Sequence, residues 1–239
     1  MQLLSFPEAA TPPELRAQVR ELHQEAWPAP ESPADPAPEP PAGASAATGA
    51  GDSAGPHDNV RQGLGLHHDP ALRPVSMLLV DEGTVLAALD ILSKPIVHAG
   101  RRFLAGGLST VVTRQAVRGR GHGRRLVAAA HQVMASADPG PTPDLRLDLD
   151  LRLNLDLRLD LGLFTCDRPL QGFYESAGWH VLPGAVLVGG TPQAPFPSDQ
   201  PGFDKVTMAD FFSPAARQAR AAFRNTRLAL YPGDIDKLW

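Results

Sequence analysis

A chain of 239 residues can bury one sizeable core or two small ones. An apolar fraction of 43%, a charged fraction of 20% and a net charge of −4 exclude a chain built as a whole to sit on nucleic acid or an anionic membrane. The single cysteine, Cys166, excludes an internal disulfide, and no apolar run approaches the roughly 20 residues that span a bilayer. The amino terminus shows no basic region followed by an apolar core, so no secretion signal is expected. A cytoplasmic protein with neither a nucleic-acid nor a membrane partner is the expectation.

In chain order, Pro13 to Trp27 reads as a helix, with Thr11 as cap and Leu15, Val19, Leu22 and Ala26 at helical spacing. Residues 28–58 are almost wholly Pro, Ala, Gly, Ser and acid, and seven of the fourteen residues from Pro28 to Pro41 are proline. Such a segment buries too little apolar surface to offset its ordering entropy, so it reads as a disordered insert. Three strand-like runs follow: Val75–Val80, Val85–Leu92 and Phe103–Thr113. Short turns at DEG and HAGRR join them, so antiparallel hairpins are expected. Between the insert and the first of these runs, His67-His68-Asp69 reads as a solvated loop. One of its histidines could relay a proton, and no third ligand is spaced to make it a metal site.

Leu126, Ala129, Ala130, Val133 and Met134 share one face, which predicts a helix from Gly123 to about Ala137. Leucine then occupies every odd position from Leu145 to Leu163. As one strand, that run would reach about 66 Å at roughly 3.3 Å per residue, against a radius of gyration of about 18 Å for a compact chain this long. We therefore place the core strand at Leu159–Cys166 and read about 144–158 as an expanded insertion. Its leucine face needs a partner, either a second copy of the chain or its own surface. QGFYESAGW reads as a short helix stopped by Gly178, Val181–Val188 and Lys205–Met208 as strands, and Pro214–Phe223 as a helix. The sum is one α/β domain with a mixed sheet, spanning 1–239.

The turn Arg118-Gly119-Arg120-Gly121-His122-Gly123 links a strand to a helix. Its alternate glycines let backbone approach a ligand, and the helix N-terminus offers unpaired N–H groups and a positive dipole end. With Arg118, Arg120, Arg124 and Arg125 around it, this makes a diphosphate cradle. It is not a P-loop, because no Lys-Ser or Lys-Thr follows, and the preceding hairpins exclude a Rossmann unit. An Arg/Gly-rich nucleic-acid segment and a plain helix-start loop are the rivals.

A β-meander, then R-G-x-G-x-G opening a long helix, then a strand, then F-Y-E-x-x-G-W, resembles the GNAT superfamily of acetyl-CoA-dependent N-acetyltransferases. The resemblance implies a single GNAT domain: a mixed, mostly antiparallel sheet with helices on both faces. It implies that Arg118, Gly121 and Gly123, with Gly119, Arg120, His122 and Arg124 around them, bind the pyrophosphate of acetyl-CoA. It implies a cofactor-binding strand splayed from its neighbour, whose Val111, Val112 and Thr113 bind the pantetheine arm and the thioester carbonyl. Tyr174 is then the general acid that protonates the departing thiolate, a task suited to a phenol.

A narrower resemblance is to the aminoglycoside 2′-N-acetyltransferases. Thr165 stands where a Ser ends the strand, PSDQPGFD with Asp199 leads into the last strand, and Trp239 follows a Gly-Asp step. This implies a small-molecule amine substrate, with Ser109, Thr165, Asp199 and Trp239 on the acceptor side. The Ser109 position carries a carboxylate in that group, and the Pro-rich insert replaces an acidic loop. Trp239 reads equally as an apolar terminus docked on the surface. A GNAT acting on a protein or peptide amine and a non-catalytic acyl-CoA-binding module are the alternatives. The terminal Trp and its acidic neighbours favour the small amine, and Tyr174 argues against the non-catalytic module.

Overall fold

The computed structural model describes residues 1–28, 67–135 and 158–230. The insert expected at 28–58 lies, but for Pro28, outside the described residues, as do the leucine run up to Leu157 and the terminal Trp239. The main sheet is built from β1 (Gln2–Pro7), β2 (Val75–Asp81), β3 (Thr84–His98), β4 (Arg101–Thr113), β5 (Leu161–Asp167), β6 (His180–Val181) and β9 (Lys205–Phe211). Its strand order is β1-β2-β3-β4-β5-β9-β6, and a second sheet runs β10 (Arg227–Ala229), β7 (Val186–Gly190), β8 (Pro195–Pro197). In the main sheet every neighbouring pair is antiparallel except β4 and β5.

Helix α1 (Pro13–Ala26) covers one face of the sheet and α2 (His122–Ala135) the other. Val19 and Leu22 of α1 pack on Leu78, Val80 and Ala88, while Leu126, Ala130, Val133 and Met134 of α2 pack on Met77, Leu79 and Leu89. The alternation of β2 and β3 side chains thus feeds two cores, and both faces of these strands are apolar because both are covered. A fully buried leucine such as Leu22 or Leu126 contributes on the order of 1.5–3 kcal/mol. A third cluster joins Leu92, Phe103, Leu161 and Phe211 to Leu187, Phe223 and Leu228 of the smaller sheet and its flanks. This is the α/β architecture that the GNAT resemblance implies.

Three expectations are corrected. The chain opens on a strand, β1, paired antiparallel with β2 from Gln2↔Val80 to Pro7↔Val75, rather than on the first helix. Thr11 does not cap α1: Pro12 holds the N-cap position without a side-chain bond, and Arg16 reaches back to the carbonyls of Glu8, Ala9 and Thr11. Val181–Val188 is not one strand. Gly184, at φ 66°, ends the short β6 segment and sends the chain into β7 of the other sheet.

Two features of β4 position the site. Between Ala88↔Val112 and Asp90↔Ser109, β3 advances two residues and β4 three, so β4 carries a bulge, with Thr110 at φ 50°. Its pairing with β5 is confined to Ala105↔Leu161 and Gly106↔Gly162. At that contact a Cβ on Gly162 would overlap the Trp179 ring, so glycine lets the indole cross the strand. Beyond Gly106 the two strands part, leaving the β4 segment up to Thr113 without a strand partner on that side among the described residues.

Candidate active site

A groove of about 590 Å³ opens where β4 leaves β5, a size suited to a ligand of drug or cofactor dimensions. Val111, Val112 and Thr113 form one wall, and Arg118, Gly119, Gly121, His122, Gly123 and Arg124 form the end. Tyr174, Phe173 and Leu170 close the side nearest β5, and Ala26 at the end of α1 closes the other. The structure thereby brings together the predicted β4 run, the glycine turn and Tyr174. Arg120, also predicted, is exposed and does not line the groove.

The turn has local causes. Gly119 at φ 78° and Gly121 at φ 83° occupy the left-handed region that side chains with a Cβ rarely adopt. Arg118 donates from Nε to the Thr113 carbonyl at 3.0 Å, fastening the turn to the end of β4. A Cβ on Gly123 would lie 2.7 Å from Thr113 Oγ1, so glycine keeps α2 close against the strand. Helix α2 starts at His122 with no acidic residue in its first turn, so its free N–H groups and positive end face the groove unopposed.

Tyr174 sits on the short helix α3 (Gln171–Glu175), only 6% exposed, with its ring edge-on to Phe164 and Phe173. Burial pushes its phenol well above the ordinary value, and the neighbouring acidic groups Cys166, once ionised, and Asp167 add to the rise. Burial also pushes the Cys166 thiol up to about 11, with Asp167 adding to it. Both groups hold their protons at neutral pH. Tyr174 is therefore a loaded donor, and Cys166 is a buried strand residue rather than a nucleophile.

The predicted acceptor residues are placed elsewhere. Ser109 is buried opposite Asp90 in the β3–β4 register. Thr165 is half-buried opposite Thr207 on β9. Asp199 makes a bidentate ion pair with Arg227, at 2.9 and 3.1 Å, beside the smaller sheet. None of the three lines the groove. Ala26, Leu170 and Phe173 do line it and were not singled out from sequence, although Phe173 lies inside the F-Y-E motif and Ala26 on the apolar stripe of α1.

His67-His68-Asp69 is not a solvated loop. His68 is 2% exposed and its Nε2 meets Asp90 Oδ2 at 3.2 Å. Asp69 accepts from Ala71 N–H at 2.9 Å to start a 3-10 turn over Pro70–Leu72. The physical reason is Asp90, a β3 carboxylate 4% exposed beside the bulge, which also receives the hydroxyls of Ser76 and Thr110 at 2.6 Å each. Burial alone would raise its pKa. The hydrogen bonds of His68, Ser76 and Thr110, with charge on His68, outweigh burial and hold Asp90 below the ordinary value. Among the described residues, no three His, Cys, Asp or Glu side chains converge as metal ligands.

No protein-family model and no curated protein sequence matches the chain. It is similar in structure to an acyl-CoA N-acyltransferase from Pseudomonas aeruginosa, at 16% identity and a TM-score of 0.45, over 87% of this chain and 97% of that one. ElaA of Escherichia coli aligns at 12% identity and a TM-score of 0.44, over 87% of this chain and 97% of that one. An aminoglycoside 6′-acetyltransferase type Ii aligns at 15% identity and a TM-score of 0.44, over 90% and 99%.

Proposed function

We propose that the chain transfers an acetyl group from acetyl-CoA directly to a primary amine, carried by a small cationic molecule of the aminoglycoside kind. The observation that supports this reading is the single groove in which the glycine turn, the unpaired end of β4 and Tyr174 converge. The residues present fit the cosubstrate. Glycines without a Cβ, the start of α2, Arg118 and Arg124 suit a diphosphate. The free backbone of Val111–Thr113 suits the amides of a pantetheine arm. The buried carboxylate of Asp90, held below its ordinary value on the α1 side of the bulge, suits a cationic acceptor.

In this mechanism, backbone N–H groups at the bulge stabilise the oxyanion formed when the amine attacks the thioester carbonyl. Thr113 and the turn hold the donor in place, so that much of the rate comes from proximity. Tyr174 gives its proton to the departing sulfur. Burial raises the phenol, but a thiolate released against the same apolar wall is raised for the same reason, so the two stay matched. No protein nucleophile takes part.

The test is a thermal-shift measurement with acetyl-CoA, followed by CoA release against a panel of kanamycin, spermidine and a lysine peptide. Acetyl-CoA at about 100 times its dissociation constant adds about 2.7 kcal/mol to stability, a shift of several degrees. Kanamycin or spermidine outpacing the peptide is the result expected. No shift with acetyl-CoA contradicts the proposal, and a shift without turnover leaves a binding module.

A further inference from the structure

We infer that Asp90 is a positioning residue for the transfer: its buried carboxylate grips the Thr110 hydroxyl and so holds the β4 bulge in the strained form that points backbone N–H groups at the oxyanion. The inference rests on the acetyl-transfer reading above and concerns what keeps that oxyanion site in shape.

Thr110 needs holding. Among the described residues, five non-glycine residues have positive φ: Arg73, Glu82, Ala99, Thr110 and Asn225. The other four lie outside the strands. Thr110 alone lies inside one, and it alone carries a branched Cβ. At φ 50° a branched side chain crowds its own backbone, so the conformation persists only where its neighbours over-determine it. Left to its own preference, threonine takes the extended form, and the bulge would flatten.

The bulge decides which way the end of β4 faces. Leu108 and Val111, three residues apart, both pack with the cluster under α2, whereas Val112 packs with the cluster under α1. A strand alternates at every second residue, so without the extra residue Val111 would turn away from the α2 face and Val112 toward it. Past the bulge the ladder resumes at Ala88↔Val112 and Ala87↔Thr113. The Thr113 carbonyl then accepts from Arg118 Nε, so the glycine turn is fastened to the same shifted register.

The hold on Thr110 comes from side chains of other segments. Asp90, 4% exposed, is in register with Ser109 on β4 and with Ser76 on β2. Its Oδ2 accepts the Thr110 hydroxyl at 2.6 Å and meets His68 Nε2 at 3.2 Å, and its Oδ1 accepts the Ser76 hydroxyl at 2.6 Å. Hydroxyl bonds to a carboxylate at that length are charge-assisted and about twice as strong as neutral ones. The bonds from Ser76 and His68 fix the carboxylate from β2 and from the preceding loop, so it stays in place when Thr110 pulls on it. Both oxygens are engaged, and Asp90 acts through Thr110. Binding of acetyl-CoA draws on the whole groove and tolerates a loosened bulge. Stabilising the oxyanion depends on donor direction at one point, where misplacement by about 1 Å costs about 100-fold in rate.

The test uses Thr110→Val, Thr110→Ser, Asp90→Asn and the double variant Asp90→Asn/Thr110→Gly in the full chain, with the best-turned amine of the panel above. Thr110→Val loses the hydroxyl and keeps the Asp90 charge. It is expected to lower kcat about 10- to 100-fold, with KM for acetyl-CoA and for the amine within about threefold. Thr110→Ser keeps the hydroxyl and is expected to stay within about threefold of the wild-type kcat. Asp90→Asn is expected to lose kcat as Thr110→Val does. Adding Thr110→Gly to it is expected to restore most of that loss, because glycine adopts a positive φ without support. A residue that only stabilised the fold would leave kcat of the folded enzyme unmoved. Wild-type kcat in Thr110→Val, an equal loss in Thr110→Ser, or no recovery in the double variant overturns the inference, each judged on protein that keeps the acetyl-CoA thermal shift. Absence of that shift in the wild-type chain contradicts the parent reading instead.

Discussion

The two sides of the β4 bulge are built by different means. The groove side, the donor side on the proposed reading, is mostly backbone: the edge of Val111–Thr113, left-handed Gly119 and Gly121, and the N-terminus of α2. The opposite side, toward α1, is mostly side chains, Glu8, His23, His67, His68 and Asp90, brought from positions as far apart as residues 8 and 90, and on the proposed reading it is the acceptor side. Backbone recognition suits a ligand that never changes, because every acetyl donor carries the same diphosphate and pantetheine. Side-chain recognition can be altered one residue at a time, which suits an acceptor that differs between enzymes. The bulge serves both, since its extra residue turns Thr110 toward Asp90 and Val111 toward the groove.

The largest break in that comparison is expected at the point where both substrates react. Tyr174→Phe is expected to lower kcat by about 100-fold or more while leaving KM for acetyl-CoA within about twofold, read in steady-state kinetics. Next is Asp90→Asn, which uncouples the acceptor side from the bulge. Removing a buried charge with three partners is expected to cost about 3 kcal/mol in denaturant unfolding, with the acetyl-CoA shift retained in the folded fraction. The sign with pH follows from the depressed carboxyl. Its contribution is fully present above the unfolded value and is lost as pH falls through the folded value, below about pH 4. The variant is therefore expected to show a flatter acid limb than the wild type.

Gly121→Val tests the donor side alone. A branched residue at φ 83° costs about 1–3 kcal/mol of backbone strain, which predicts a loss of about 10- to 100-fold in acetyl-CoA affinity. The smallest effect is expected at Asp199→Ala. Its exposed ion pair with Arg227 contributes about 1 kcal/mol or less, and amine KM is expected to be unchanged. A raised amine KM in that variant would bring Asp199 back to the acceptor site.

What could be read from the sequence divides along the same line. The hairpins of β2–β4 rest on two-residue turns, Glu82-Gly83 and Ala99-Gly100, whose positive φ values are a local matter. The glycine turn and F-Y-E-x-x-G-W are likewise contiguous, and the strand expected at Leu159–Cys166 is observed as Leu161–Asp167. The polar cluster around Asp90 and His68 is not contiguous. Nothing near His68 in sequence shows that Asp90, twenty-two residues on, needs a partner, so the loop looked solvated. The strand β1 was missed because Ser5 sits at a buried position and breaks the apolar alternation of Leu3. The smaller sheet was missed because β10 pairs with β7 across some forty residues of chain. The Pro183-Gly184 pair was the local signal that could have divided Val181–Val188.

The central claim is that the glycine turn and the open end of β4 bind an acyl-CoA. Isothermal titration of acetyl-CoA into the wild-type chain and into Gly121→Val tests it most directly. One-site binding in the wild type, weakened about 10-fold or more in the variant while the variant stays folded, is the result expected. No heat of binding in the wild type, or equal affinity in both proteins, would contradict it.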